Sequence, residues 1–347
     1  MHLLDLSTDR ATVGAGVFLS LTRRCPLHCA HCATRSTMRA EQHAEAPFIR
    51  LAESFTEHDR PQVMWLTGGE PLLRPGLVRA LADTARRCGT TTALLTGMWF
   101  AGRHPAPAVH AALRSVGHVS ASIDRFHEAE VPRAAVLRQL AGLLDDGIDV
   151  SVHLVGDGAD DPYLEAAVED IRSTLADRCP IHVSFLQRYG RAEALLPEEE
   201  RPASSDALPC HLASWPVVTY DGTVVACCSQ LAVDGPVPEH LRLGHAATDG
   251  WPVIRSRAES RSALRAIRTF GPGWLAAQDG AGTCGGYCAT CLELGRDDVT
   301  MRRVAERMER PGVGLLEMRA ETVRRQTSAW VDPRFAHLLE LGRPVAA

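Results

Sequence analysis

Three cysteines stand close together in the stretch RRCPLHCAHC: Cys25, Cys29 and Cys32. Thiolates at such spacing hold zinc or an iron–sulfur cluster, and both metals usually take four protein ligands. This loop offers three. Either His28 or His31 completes a zinc site of three cysteines and one histidine, or one position is left open for a ligand that is not protein. A second feature, WLTGGEP, carries Gly68, Gly69 and Glu70. Two glycines permit close backbone approach, and a carboxylate beside them can accept hydrogen bonds from an amino group. Taken alone, such a stretch is also an ordinary tight turn. A further cysteine set lies late in the chain, at Cys210, Cys227, Cys228, Cys284, Cys288 and Cys291.

Composition narrows what these groups do. The 347 residues are 45% hydrophobic, enough to bury one large domain and a smaller one. No secretory signal opens the chain, and no apolar run approaches the roughly 20 residues that cross a bilayer. A cytoplasmic protein without a membrane partner is expected. Eleven cysteines in that setting read as metal ligands rather than a disulfide framework, since an odd count cannot fully pair. The 37 basic side chains, every one an arginine, are scattered among 42 acidic ones, and aromatics are only 5%. Neither a cationic groove nor stacking platforms emerge, which argues against a nucleic-acid partner.

The elements that must position the cysteines are legible. Short β-rich runs alternate with helical patterns between residues 13 and 196, the signature of repeated βα units around a parallel sheet. Strands are predicted at Val17–Leu21, Val63–Thr67, Thr92–Thr96, Val119–Ile123, Val150–Leu154 and Ile181–Leu186. Between them, Val136, Leu140, Leu143 and Leu144 share one helical face, as do Leu164, Val168, Ile171 and Leu175. Pro75, Pro132 and Pro162 fall where helices should begin. The three-cysteine loop therefore follows the first strand, at the end where barrel-like α/β folds keep their chemistry. LLPEEERPASSDALPC breaks the rhythm and marks a boundary near residues 196 to 209. Beyond it, WPVVTYDGTVVACC is a hairpin turning at Asp221–Gly222, which brings Cys227 back toward Cys210. SALRAIRTF is helical up to Gly271–Pro272, and MRRVAERMER is a charged helix within a C-terminal helical tail. Cys88 and Cys179, isolated near helix ends, read as plain thiols.

The pairing of CxxxCxxC after the first strand with GGE after the second resembles the radical S-adenosylmethionine (radical SAM) superfamily. The resemblance implies an α/β fold, a partial (β/α)6 TIM-like barrel over residues 13–196 after a short N-terminal segment, 1–12. It implies that Cys25, Cys29 and Cys32 hold a 4Fe-4S cluster whose open iron binds S-adenosylmethionine. His31 would lie near adenine, while Gly68, Gly69 and Glu70 hold the methionine end. Ser122 and Asp124, in SASIDRFHEAEV, become candidates for the ribose, with a helix cap as their plain alternative. Gly190 and Arg191, in the family-like GRA after the sixth strand, become candidates for the cosubstrate, with a structural ion pair as the alternative.

The spacing from Cys210 through Gly222 to Cys227 resembles the SPASM and twitch extensions of that superfamily. Cys288 and Cys291 complete four ligands for one auxiliary 4Fe-4S cluster in a hairpin-plus-helix domain over 197–300, with Cys284 an alternate ligand, followed by the helical tail 301–347. A full SPASM pattern would need more cysteines, so the twitch form is expected. Zinc is the plain alternative for this set, since four thiolates also suit it. Cys228 is left over and becomes a candidate hydrogen-atom donor. The implied activity is reductive cleavage of S-adenosylmethionine to a 5'-deoxyadenosyl radical that takes a hydrogen atom from substrate. The electron comes from an external flavodoxin or ferredoxin type donor. About a dozen residues precede the first strand, which leaves no room for a peptide-recognition domain. The expectation is therefore an oxidoreductase or epimerase remodelling a sugar or aminocyclitol natural-product intermediate. Modification or crosslinking of a ribosomally made peptide or protein is the alternative, and a non-catalytic zinc-binding protein the alternative outside enzymes.

Overall fold

A computed structural model describes residues 10–158, 161–197, 206–279 and 285–327. Six strands, β1 (Gly16–Ser20), β2 (Val63–Thr67), β3 (Thr91–Thr96), β4 (His118–Ser122), β5 (Asp149–Gly156) and β6 (Ile181–Phe185), lie where the alternating pattern predicts them, with ends shifted by at most two residues. Each pairs in parallel with the next, in spatial order β6-β5-β4-β3-β2-β1.

Strand periodicity explains how this sheet serves a site. Side chains alternate between its two faces. Val17, Leu19, Met64, Leu66, Val152 and Leu154 pack with helix residues such as Phe48, Leu77, Leu81, Leu140 and Ile171 in the main core. On the opposite face Val63, Trp65 and Ala93 meet Trp215 and Phe18 in a small aromatic cluster. Along β4 to β6 that inner face turns polar, carrying Ser120, Ser122, Ser151, His153, His182 and Ser184 by the same alternation. Helices cover the outer face. Pro75 and Pro162 open theirs at the first turn, whereas Pro132 stands one residue outside helix Arg133–Asp145 as its cap. That helix buries Val136, Leu140 and Leu143, while Leu144 is half-buried.

The late hairpin does not stand apart from this sheet. β7 (Val217–Val218) and β8 (Thr223–Val225) run antiparallel about Gly222, whose φ of 92° fits the turn. The Asp221 carboxylate accepts from the Thr219 hydroxyl and the Thr223 amide, at 2.6 and 2.9 Å. β7 then pairs in parallel with β1, Phe18 facing Val217 and Leu19 facing Val218, and β9 (Arg242–His245) follows β8. The result is one open nine-stranded sheet ending in β6 and β9. An unpaired edge of β1 would expose a row of backbone donors and acceptors, and β7 satisfies them.

Helix Ser262–Phe270 ends where Gly271 takes a φ of 81°, as the sequence predicts. Helices Pro272–Asp279, Tyr287–Leu294, Asp298–Met308 and Val313–Thr327 follow. The expected charged helix is Asp298–Met308, capped by Asp297 and burying Thr300, Val304 and Met308. A two-bonded pair, Arg265 to Glu317 at 2.8 and 2.9 Å, ties the last helix to Ser262–Phe270. Much of the boundary expected at 196–209 lies outside the described residues.

Candidate active site

The cysteine loop and the GGE turn are joined by backbone bonds. Leu21 N donates to Thr67 O at 2.8 Å, Gly69 N to Thr22 O at 2.6 Å and Glu70 N to Arg24 O at 2.8 Å. Gly68 has a φ of 136°, and a Cβ there would stand 2.4 Å from Thr22 O; at Gly69 it would stand 2.3 Å from Arg24 O. The glycines thus admit the backbone of the cysteine loop itself. Glu70 turns inward and is fully buried. Its carboxylate accepts from Leu72 N at 2.9 Å, from the Thr96 hydroxyl at 2.9 and 3.0 Å, and from Gly97 N at 3.0 Å. Burial pushes this carboxyl up to about 7, against those bonds. Three donors from the protein thus hold the Glu70 carboxylate in place.

Cys29 is buried, and Cys25 and Cys32 are half-buried, all as free thiols. Burial pushes Cys25 up to about 12, relieved by the Leu27 amide and reinforced by the charges of Glu70, Cys29 and Cys32. Cys25 therefore feels both of the other sulfurs. Thiols gathered in this way suit a cation or a cationic cluster, which deprotonates them on binding. The loop after β6 braces them. Arg191 N donates to Cys32 O and Arg191 Nε to Cys29 O, both at 2.9 Å, while Nη1 reaches Ser36 O at 2.8 Å. Gly190, with a φ of 59°, permits this approach: a Cβ would lie 2.2 Å from Ala33 O.

Beside the thiols, Asp124 collects two imidazoles. It caps the short helix Arg125–Glu128, its Oδ1 accepting from Phe126 N and His127 N at 2.9 and 3.0 Å. Its Oδ2 lies 2.6 Å from His127 Nδ1 and 3.3 Å from His31 Nε2. Burial opposes that negative charge, yet the two histidines hold the carboxyl well below its ordinary range. Burial likewise opposes charge on His127, and its bonds to Asp124 and Cys29 overcome it, pushing the imidazole up to about 10. His31 stacks on Phe126 with centroids 4.6 Å apart. Ser122 ends β4, half-buried, paired in register with His153. His127 was not singled out from the sequence, although a histidine three residues after a capping aspartate is a readable signal.

The late cysteines converge. Cys210, Cys227, Cys288 and Cys291 line one cavity, with Leu241, Ile267 and Tyr287 among its walls. Cys288 and Cys291 stand one turn apart on helix Tyr287–Leu294. Burial raises Cys210, Cys227 and Cys291, and neighbouring cysteines add to each. Tyr287 Oη donates to Leu208 O at 2.6 Å, fixing the helix start over Cys210. Cys228 is not among that cavity's lining residues, and its Sγ accepts from Arg10 at 2.9 Å. Cys284 lies outside the described residues. Cys88 is half-buried against Phe55 O, and burial pushes Cys179 up to about 12.

Comparison with known proteins agrees with this geometry. Residues 19–171 match the radical SAM superfamily. A PqqA peptide cyclase from Streptomyces rochei is 35% identical over 112 residues, a match spanning 32% of this chain and only 30% of that relative. Two solved structures share the fold at 12% identity. Streptococcus suis SuiB bound to the precursor peptide SuiA has a TM-score of 0.52, over 75% of this chain and 68% of that one. Native anSMEcpe with bound AdoMet and Cp18Cys peptide has a TM-score of 0.50, over 89% and 99%. With its cysteine loop, GGE turn and parallel strands in this arrangement, the segment 19–171 resembles a radical SAM superfamily domain.

Proposed function

We propose that the protein is a radical SAM enzyme that modifies a peptide, with a second iron–sulfur cluster at Cys210, Cys227, Cys288 and Cys291. The observation that carries this reading is the convergence of Cys210, Cys227, Cys288 and Cys291 on one cavity, in a chain whose segment 19–171 matches the radical SAM superfamily. His28, the nearer alternative to an open position, turns to the Glu130 carboxylate at 3.6 Å with its side chain 70% exposed.

Cys25, Cys29 and Cys32 would hold a 4Fe-4S cluster that, when bound and reduced, would supply the electron for cleaving S-adenosylmethionine to methionine and a 5'-deoxyadenosyl radical able to take a hydrogen atom from substrate. The chain's own residues hold and exclude. Arg191 and the GGE turn fix the cysteine loop. The inner face of β4 to β6 carries hydroxyl and imidazole groups, on the same face of the sheet as the Phe18 and Trp65 rings. Such a wall can orient a target carbon while keeping bulk water from the radical. The preference for a peptide rests on the relatives: the cyclase by its name, and the two solved structures by their bound peptides. This replaces the sequence-based leaning toward a small molecule.

The test is anaerobic reconstitution followed by iron, sulfide and zinc analysis, then incubation with S-adenosylmethionine and reductant. About eight irons with matching sulfide, and 5'-deoxyadenosine that Cys25→Ala, Cys29→Ala or Cys32→Ala abolishes, are expected. Stoichiometric zinc without sulfide overturns the reading. Deuterium passing from a labelled candidate precursor peptide into 5'-deoxyadenosine would establish the substrate class; transfer from a labelled sugar or aminocyclitol instead would refute it.

A further inference from the structure

The stretch leaving β8 sends three successive side chains, Cys227, Cys228 and Ser229, to two places. Cys227 and Ser229 line the cavity shared with Cys210, Cys288 and Cys291. Cys228, between them, is not among the lining residues: its Sγ accepts from Arg10 Nη2 at 2.9 Å, and that guanidinium lies 4.8 Å from the centroid of the Trp215 ring. Ser229 stands at the N-cap of helix Gln230–Asp234, where a serine hydroxyl ordinarily accepts from an amide of the first turn. Its hydroxyl makes no such bond, and the helix start is held by the Ser229 carbonyl, which accepts from the Ala232 and Val233 amides at 2.9 and 3.0 Å. The Oγ atom is buried, and among the described residues nothing hydrogen-bonds it. A buried hydroxyl normally has a partner, since its lost hydration otherwise goes uncompensated. The rest of the lining does not supply one. Its side chains are aliphatic, Leu241 and Ile267 among them, apart from Tyr287, whose hydroxyl is committed to Leu208 O at 2.6 Å. Among the described lining residues, the side-chain acceptors left for Ser229 are the cysteine sulfurs, with the group they hold.

We propose that Ser229 donates a hydrogen bond from its hydroxyl to a sulfur of the iron–sulfur cluster at Cys210, Cys227, Cys288 and Cys291, and so makes that cluster easier to reduce. This rests on the second-cluster assignment made above. Four thiolates already complete the ligand set of such a cluster, so the serine serves as a donor rather than as a fifth ligand. A hydroxyl carries its proton without titrating, whereas cluster sulfurs only accept. Hydrogen bonds to the sulfurs are among the factors that set reduction potential. Electron density on sulfur rises on reduction, so a donor there stabilises the reduced state more than the oxidised one. In aliphatic surroundings a single donor weighs more, because little else nearby answers the added charge.

The test is a redox titration of the full-length reconstituted protein with dithionite. The electron paramagnetic resonance signal that S-adenosylmethionine leaves unchanged, and that replacing Cys288 and Cys291 with alanine removes, reports the second cluster. Its midpoint is expected to move to more negative potential in Ser229→Ala. Ser229→Thr keeps the hydroxyl and should stay near the unaltered protein. Since the Ser229 hydroxyl makes no cap bond, the alanine change does not uncap the helix. Electron–nuclear double resonance on the same signal should show a proton coupling, exchangeable in heavy water, that Ser229→Ala lacks and Ser229→Thr retains. An unchanged midpoint in Ser229→Ala, a threonine variant shifted as far as the alanine one, or no exchangeable coupling lost overturns the proposal. If Ser229→Ala keeps its fold by circular dichroism but binds about four irons fewer, the hydroxyl serves assembly rather than potential, and the proposal is again overturned. An unaltered protein with zinc at the second set, or with no second signal, fails at the cluster assignment and takes this inference with it.

Discussion

His153 shows what single side chains contribute to this molecule. It stands on the inner face of β5, T-shaped against His182 with centroids 4.2 Å apart. Although it keeps some exposed surface, it is packed around by protein. Burial pushes its imidazole down to about 4, the charge of His127 adding to this and that of Asp124 opposing it. Between pH 4 and 6.5 the unfolded chain binds a proton at this histidine that the native protein does not. Stability therefore rises with pH across that window and is lost on acidification through it. Urea unfolding at pH 4.5, 5.5 and 6.5 should show a shallower rise for His153→Gln than for the unaltered protein. Equal slopes would assign the acid sensitivity elsewhere. Glu70, which residue type and spacing single out, is held by Leu72, Thr96 and Gly97.

At the scale of elements, the join between β1 and β7 matters most, because it lays the hairpin that leads to Cys227 alongside the strand that leads to Cys25. Trp215, fully buried just before β7, packs flat against the backbone of β1: a Cβ on Gly16 would stand 2.4 Å from its ring. Gly16→Ala should accordingly destabilise the protein by about 1–3 kcal/mol through overpacking. Gly76→Ala, in the first turn of helix Pro75–Arg87 with nothing within 4 Å of the new methyl, serves as the contrast and should stabilise slightly, by up to about 1 kcal/mol. Denaturant midpoints of the two variants check both signs. Similar losses in both would mean that Trp215 does not hold this edge. The strand pattern itself was legible because each parallel strand buries one face on helices and alternates every second residue. The register of β7 on β1 was not, since two residues of Val carry no pairing information.

For the whole molecule, the proposed function gives the two cysteine sets one cluster each, with separable roles. The first set rides on the loop after β1, the second on the β8 exit, the stretch before β7 and helix Tyr287–Leu294. Replacing Cys288 and Cys291 together with alanine should lower iron from about eight to about four per chain. That protein should still form 5'-deoxyadenosine while losing coupled turnover of its substrate. Loss of all iron from this variant would show instead that the sets assemble as one. Among the described residues no helix is long and apolar enough to cross a membrane. The last described helix, Val313–Thr327, is bound to the body by Arg265 and Glu317, by Arg324 to the Arg268 carbonyl at 2.6 Å, and by Arg325 to the Thr12 hydroxyl at 2.9 Å.

By itself the sequence determined the three-cysteine loop, its place after the first strand, the GGE turn after the second, and the six βα repeats. All of these are short-range: spacing within a loop and period within a strand or helix are written in neighbouring residues. Only the tertiary structure decided that Gly68 and Gly69 admit the cysteine loop, that Arg191 pins that loop from 160-odd positions away, and that Asp124 gathers His31 and His127. Those contacts depend on which strand ends abut, and strand order is set by burial and edge pairing across the whole sheet rather than by any local pattern.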